Sequence, residues 1–271
     1  MALWVVDIQP AKRLALDGEA IVDVIREMGH EIVETIYDPT SGRFPYDLEA
    51  VFAVARPVIL RGSVGFAAWA YAQWSITPGA FRSELLRPSS YLPAYGALAL
   101  NADAIITTYA EFQAQRAEFE ERLGGTLFVK PADGGKLLSG TLLEPGRSLF
   151  DAHYSSHRRW SEIPEDFRLL LTRTHTISTE WRFVIAGERV VASSLYKRGE
   201  VLESRRGAPE GATAVAEKVA KHVWRPVNVF IADVAETENG FRLLELNTFG
   251  TAGLYDCDLN AIVQAVSEYA H

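Results

Sequence analysis

The chain has 271 residues, of which 48% are hydrophobic and 23% charged, a balance that supplies a core and excludes general disorder. A formal net charge of -8 argues against nucleic acid and anionic lipid as partners, and a single cysteine, Cys257, excludes an intramolecular disulfide or a multi-cysteine metal centre. No apolar run approaches the roughly 18 residues of a membrane span, and the start MALWVVDIQPAKR places its apolar stretch before its charges, unlike a secretory signal. A cytoplasmic protein is expected.

Residues 3–8 read as a short buried strand. Asp17 is placed to cap a helix that carries Ile21, Val24, Ile25 and Met28 on one face, and Gly29 to stop it. Residues 31–37 and 58–60 read as two further strands, the second followed by Arg61-Gly62-Ser63 and a helix over 66–74. Strand, helix and strand in this order predict a parallel sheet covered by helices. Arg61 with Ser63 has two readings: a ligand position outside a strand's carboxyl end, and a capped helix start. Trp69, Tyr71 and Trp74 read as core packing or a partner surface. Residues 77–101 yield no assignment.

Residues 104–107 read as a strand, and Thr108-Tyr109-Ala110-Glu111 as a capping box that starts a helix running to Leu123. Gly124-Gly125 ends it. Strand candidates follow at 127–131, 140–143, 169–174, 179–185 and 189–196. A helix over 212–223 interrupts them before strands at 228–235 and 242–247, and a last helix begins after Asp258. The expected architecture is an α/β domain over 1–108 and then an α+β domain over 109–271, dominated by antiparallel strands. His153 and His157 are spaced i, i+4 in a run of polar and aromatic residues. With no further zinc ligands nearby, a polar loop is the reading.

The stretch NVFIADVAETENGFRLLELNTFG, residues 228–250, is the most informative. A three-residue loop Glu238-Asn239-Gly240 centres a hairpin on Asn239 and sets Asp233 directly opposite Glu245, with Asn247 on the same face. Opposed carboxylates repel, and a divalent cation would relieve them; hard oxygens of this kind suit Mg²⁺. A two-residue Asn239-Gly240 loop would instead set Asp233 across from Leu246 and scatter the acids.

In LFVKPADGGKLLSGTLL, residues 127–143, Lys130 ends an apolar strand, Gly134-Gly135 makes a turn and Lys136 enters the next strand. Backbone N–H groups and two ammoniums can grip phosphate; a plain surface turn is the alternative. In STEWRFVIAGERVVASSLYKRG, residues 178–199, Glu180 and Arg182 share a strand face and Trp181 points the other way. Arg182 suits bidentate phosphate binding, or a surface pair with Glu180. Lys197 ends the partner strand.

Taken together, these stretches resemble the ATP-grasp superfamily: a lysine in "FVKP", a glycine-containing loop, an "E-W-R" strand with a "V-I-A-G-E-R-V-V" hairpin, and an acidic strand pair ending "L-E-L-N". Lys130, Lys136 and Arg182 fit the pattern of its Arg-plus-two-Lys clade. The specific motifs cover residues 104–271. The N-terminal third resembles the Rossmann-like pre-ATP-grasp domain in layout, including Ile59-Leu60-Arg61-Gly62-Ser63. The fold this implies is a Rossmann-like pre-ATP-grasp domain followed by an ATP-grasp domain of antiparallel sheets and helices.

The resemblance implies ATP and Mg²⁺ as cofactors. Lys130, Lys136, Glu180, Arg182 and Lys197 would contact nucleotide, with Lys136 and Arg182 taking part in catalysis. Asp233, Glu245 and Asn247 would hold the metal. Most members activate a carboxylate as an acyl-phosphate that an amine or thiol attacks, which demands positioning and charge neutralisation more than a protein nucleophile. The implied activity is carboxylate–amine ligation on a peptide or amino-acid-like substrate, with a homodimer among the expected assemblies. A small-molecule kinase and a non-catalytic ATP-binding module are the alternatives.

Overall fold

The structure, a computed structural model, describes residues 2–8, 18–38, 48–52, 58–74, 83–133, 138–154 and 163–269. The expected helix cap at Asp17, the turn Gly134-Gly135, Lys136 and His157 lie outside the described residues. Packing groups Met1–Leu86 with Ile177–His271 as one unit and Arg87–Thr176 as another. These groups follow contacts rather than chain order, and residue 108 falls inside the second.

The first unit opens with β1 (Leu3–Asp7), α1 (Gly18–Glu27), β2 (Glu31–Thr35), α2 (Leu48–Phe52), β3 (Val58–Arg61) and α3 (Val64–Gln73). β1 pairs in parallel with β2 on one side and β3 on the other, as the strand–helix–strand order predicted. All five residues of β1 are buried, which the covering of both faces of a parallel sheet requires. Leu3 and Val5 meet Leu48, Phe52, Phe66 and Ala67 on one side. Trp4 and Val6 share the other side with Ile21 and Ile25, and with Val184, Ile231, Ile262 and Val266 from the far end of the chain. Trp69 and Trp74 pack against the first of these clusters, the core reading for those two, whereas Tyr71 is exposed.

The second unit holds α4 (Pro88–Tyr95), in the stretch that resisted assignment, then β4 (Ile105–Thr108), α5 (Tyr109–Leu123), β5 (Leu127–Pro131), β6 (Thr141–Leu143), α6 (Leu149–Tyr154) and β7 (Arg168–Arg173). Its four strands form an antiparallel sheet in the order β4-β7-β5-β6. His153, expected in a loop, falls in α6.

The capping box of α5 is complete. The Thr108 hydroxyl accepts the Glu111 N–H at 3.2 Å, and the Glu111 carboxylate accepts the Thr108 N–H at 3.0 Å. The backbone bond from Thr108, with the Thr107 and Thr108 hydroxyls, holds the Glu111 carboxyl below its ordinary value. Its contribution is thus present at neutral pH and lost as pH falls through that lowered value. Thr108→Ala is expected to lower stability by about 1 kcal/mol in urea denaturation.

The first unit resumes with β8 (Ile177–Ala186), β9 (Arg189–Arg198), β10 (Val201–Arg206), α7 (Glu210–Ala220), β11 (Val229–Thr237), β12 (Gly240–Thr248) and α8 (Leu259–Glu268). The five strands form an antiparallel sheet in the order β10-β9-β8-β11-β12. β10 escaped the sequence reading because, as an edge strand with nearly every residue exposed, it carries no inside–outside alternation. On one face of the sheet Trp181 and Val234 pack against Ala212 and Ala216 of α7. No helix among the described residues is long and apolar enough to cross a membrane.

Candidate active site

The site grows from the register of three neighbouring strands. On β11, Asp233 lies opposite Arg182 of β8 on one side and opposite Glu245 of β12 on the other. The hairpin loop is not the three-residue one expected. Thr237 pairs with Gly240, leaving a two-residue Glu238-Asn239 turn with Gly240 at φ 88°. That register would have set Asp233 against Leu244. A bulge between the Val234–Leu243 and Asp233–Glu245 pairs inserts Leu244 and restores the acidic pair. The carboxylates therefore meet, though through a shorter turn and a bulge.

Asp233 is fully buried, and Arg182 is only 7% exposed. Nε and Nη2 of Arg182 donate to the two Asp233 oxygens at 2.8 and 2.7 Å, a bidentate ion pair. Nη1 of Arg182 donates to the Gly253 carbonyl at 2.9 Å. The Asn247 amide bridges the acids, donating to Asp233 at 2.9 Å and to Glu245 at 3.2 Å. The repulsion expected between opposed carboxylates is thus relieved here by a guanidinium and an amide. Burial pushes the Asp233 carboxyl up to about 6 against the pull of Arg182.

Two tyrosines lie against the guanidinium. Its carbon lies 4.9 Å from the Tyr196 ring centroid and 5.1 Å from that of Tyr255, and the two rings stack 5.3 Å apart. Tyr196 donates its hydroxyl to Glu180, and Lys197 makes an ion pair with the same carboxylate at 3.2 Å. Burial and the neighbouring Asp233 and Glu180 carboxylates push the Tyr196 phenol well above its ordinary value, so it stays a donor. Sequence reasoning missed Tyr196 for a definite reason. β9 bulges between its pairs with Glu180 and Trp181, so Tyr196 and Lys197, consecutive in sequence, both reach Glu180. Strict alternation sends them to opposite faces.

Glu180, Arg182, Lys197, Asp233, Glu245 and Asn247 are therefore parts of one cluster on the five-stranded sheet. Glu180 and Arg182 share a face as expected, with Trp181 on the other, but Arg182 pairs with Asp233 instead of Glu180. Lys130 lies in the second unit on β5, opposite Leu170 of β7. Among the described residues no three His, Cys, Asp or Glu side chains form a metal cluster; the acidic set is two carboxylates and one amide. Their hard oxygens suit Mg²⁺ over softer cations.

Arg61, for which the sequence offers a ligand position or a helix start, is buried at the end of β3 and directed at backbone. It donates from Nη1 to the Phe249 carbonyl at 2.5 Å and from Nη2 to the Ala252 carbonyl at 2.9 Å. Ser63 does cap α3, accepting the Phe66 N–H at 3.3 Å.

Solved structures share this fold across nearly the whole chain. A D-cycloserine synthetase, DcsG, superposes with a TM-score of 0.68 at 16% identity, covering 98% of each chain. The ATP-grasp ligase PsnB, complexed with a minimal precursor, gives 0.62 at 17% identity and 98% of each chain. N5-carboxyaminoimidazole synthetase from Staphylococcus aureus, complexed with ADP, gives 0.65 at 13% identity, covering all of this chain and 78% of that one. No curated protein sequence matches the chain. The sequence itself matches the ATP-grasp domain of the Arg-plus-two-Lys clade, family 3, over residues 45–266, and with the acidic strand pair, its arginine and the antiparallel sheets in place, the chain belongs to that family.

Proposed function

We propose that this protein is an ATP- and Mg²⁺-dependent ligase that activates a carboxylate for attack by an amine on a peptide or amino-acid-like substrate. Residues 1–108 would form the pre-ATP-grasp domain and 109–271 the nucleotide-binding and catalytic domain. The observation that carries the reading is the row Arg182–Asp233–Glu245, bridged by Asn247, with its arginine and central aspartate buried. A sheet gains little by burying the Arg182–Asp233 pair unless charge at that place has a use. PsnB has been solved with precursor peptide PsnA2 and AMPPNP, and with Mg and ADP, which supports a peptide among the candidate substrates.

Asp233, Glu245 and Asn247 would hold Mg²⁺. Lys130 and Lys136 would neutralise nucleotide phosphate as point charges, and Arg182 would present to the transferred group the Nη N–H groups not given to Asp233 and Gly253. Glu180, held by Tyr196 and Lys197, is a carboxylate acceptor suited to ribose hydroxyls. ATP, when bound, supplies the phosphoryl group that turns the carboxylate into an acyl-phosphate, and Mg²⁺ supplies charge neutralisation. The protein's part is then to fix phosphate with its cations, aim the carboxylate and exclude water.

The test is calorimetric titration of AMPPNP with and without Mg²⁺. Wild type is expected to bind in a Mg²⁺-dependent way, and Glu245→Gln to bind at least about tenfold more weakly while folding normally. Equal Mg²⁺-dependent affinity in the two would overturn the metal assignment. With candidate carboxylates and amines, release of ADP and phosphate marks a ligase, whereas a phosphorylated product marks a kinase.

A further inference from the structure

The turn that follows the acidic strand is held by arginines from two different sheets. Residues 249–253 come directly after β12, which carries Glu245 and Asn247. Arg61 of the parallel sheet takes the carbonyls of Phe249 and Ala252, and its guanidinium carbon sits 4.8 Å from the centroid of the Phe249 ring. The next residue, Gly62, donates its N–H to the Gly250 carbonyl at 2.7 Å. Arg182 of the antiparallel sheet takes the carbonyl of Gly253. Three of the five carbonyls in this short turn therefore accept guanidinium N–H groups, and a fourth accepts Gly62.

The position of Arg61 is itself fixed. Asp7, buried at the end of β1, accepts the Ser63 N–H at 3.1 Å, the Ser63 hydroxyl at 2.8 Å and the Tyr37 N–H at 3.2 Å. A Cβ on Gly62 would stand 2.7 Å from Cβ of Asp7 and 2.6 Å from the Phe66 ring, so only glycine lets β3 end this close to β1.

We propose that Arg61 is a positioning residue for Arg182. It sets the place of the 249–253 turn, the turn sets the Gly253 carbonyl, and that carbonyl fixes Nη1, the third nitrogen of the Arg182 guanidinium. Asp233 fixes the other two through Nε and Nη2. The parallel sheet, which contributes none of the residues assigned to nucleotide or metal, thereby sets the angle at which Arg182 meets Asp233. An arginine is required at 61 because two carbonyls and a ring face must be engaged together, which a single ammonium does not do. The importance of this angle for turnover rests on the proposed ligase reading; the positioning itself does not.

The test separates the two. In nucleotide-free protein, the Arg182 side-chain Nε–H resonance is identified by its loss in Arg182→Lys, and its hydrogen exchange is measured. Arg61→Ala is expected to speed that exchange at least tenfold while the backbone amides of β8 and β11 keep their protection, and Arg61→Lys to fall between it and wild type. Unchanged exchange of the Arg182 Nε–H in the Ala variant overturns the proposal, as does equal acceleration of Nε–H and strand amides, which marks general loosening. If the Ala variant fails to fold, Arg61→Lys is read by the same two criteria. In parallel, Mg²⁺·AMPPNP affinity is measured for Arg61→Ala alone and in an Arg182→Lys background. A tenfold loss that vanishes in that background supports action through Arg182, and equal losses in both overturn it. Wild type that binds no nucleotide would defeat the ligase reading, with the exchange result still deciding the role of Arg61.

Discussion

Arg182→Ala is expected to destabilise the protein by about 3–5 kcal/mol, because it leaves the fully buried Asp233 carboxylate without its bidentate partner. The loss should depend on pH, and the sign follows from Asp233. Its carboxyl is raised from an ordinary 3.8 to about 6 even with Arg182 present. Between those values the folded state holds the proton more tightly than the unfolded chain, so this group's contribution diminishes as pH rises through 6. Without Arg182 the carboxyl rises further. The variant's deficit relative to wild type is then smaller at pH 5, below the raised value, than at pH 8. Urea denaturation at both values measures it. Asp233→Asn in the same background should recover part of the loss at pH 8, since a neutral amide is cheaper to bury than a lone carboxylate. A deficit below about 1 kcal/mol at pH 8 would show that other groups carry the charge of Asp233.

Trp4→Ala should cost a similar amount, about 3–5 kcal/mol, by a different route. Trp4 is fully buried, meets the Phe249 ring edge-on at 6.3 Å, and donates its indole N–H to the Ser267 hydroxyl at 3.3 Å. Its removal opens a cavity where β1, the post-β12 turn and α8 share one cluster. Trp4→Phe keeps most of the volume and forfeits the hydrogen bond, so it should cost markedly less. Paired urea melts compare the two. An Ala variant as stable as the Phe variant would mean that the site collapses without a cavity.

Much of the candidate site was legible because its chemistry is local in sequence. Asp233, Glu245 and Asn247 lie on two strands joined by one turn, so counting from Asn239 finds the acidic pair. The count succeeds for the wrong reason, since a shorter turn and the Leu244 bulge offset each other by one residue. Glu180 and Arg182 declare their common face through period-two alternation. Residues that depend on distant pairing were not legible. Tyr196 joins the cluster through a bulge, and a bulge breaks the alternation that a sequence reading relies on. Arg61 finds its partners nearly two hundred positions later, among backbone carbonyls that carry no sequence signature. The fold divides in the same way. Short-range βαβ and hairpin signals reveal the element types, whereas the packing of β1 against α8 has no local signal.

That shared core has a consequence for synthesis. The first packing unit is interrupted in the chain by the second, so Trp4, Ile21 and Ile25 leave the ribosome long before Val184, Ile231 and Val266, the residues that cover them. At roughly 5–20 residues per second the wait is on the order of ten seconds or more. During it the nascent parallel sheet presents an apolar face and unpaired strand edges, the features that recruit holding chaperones or seed aggregation. The second unit, continuous in sequence and rich in short-range antiparallel pairing, can fold in the interval. Yield in cells should therefore respond more to translation rate and chaperone supply in the stretch before residue 177 than to the final stability of the folded protein.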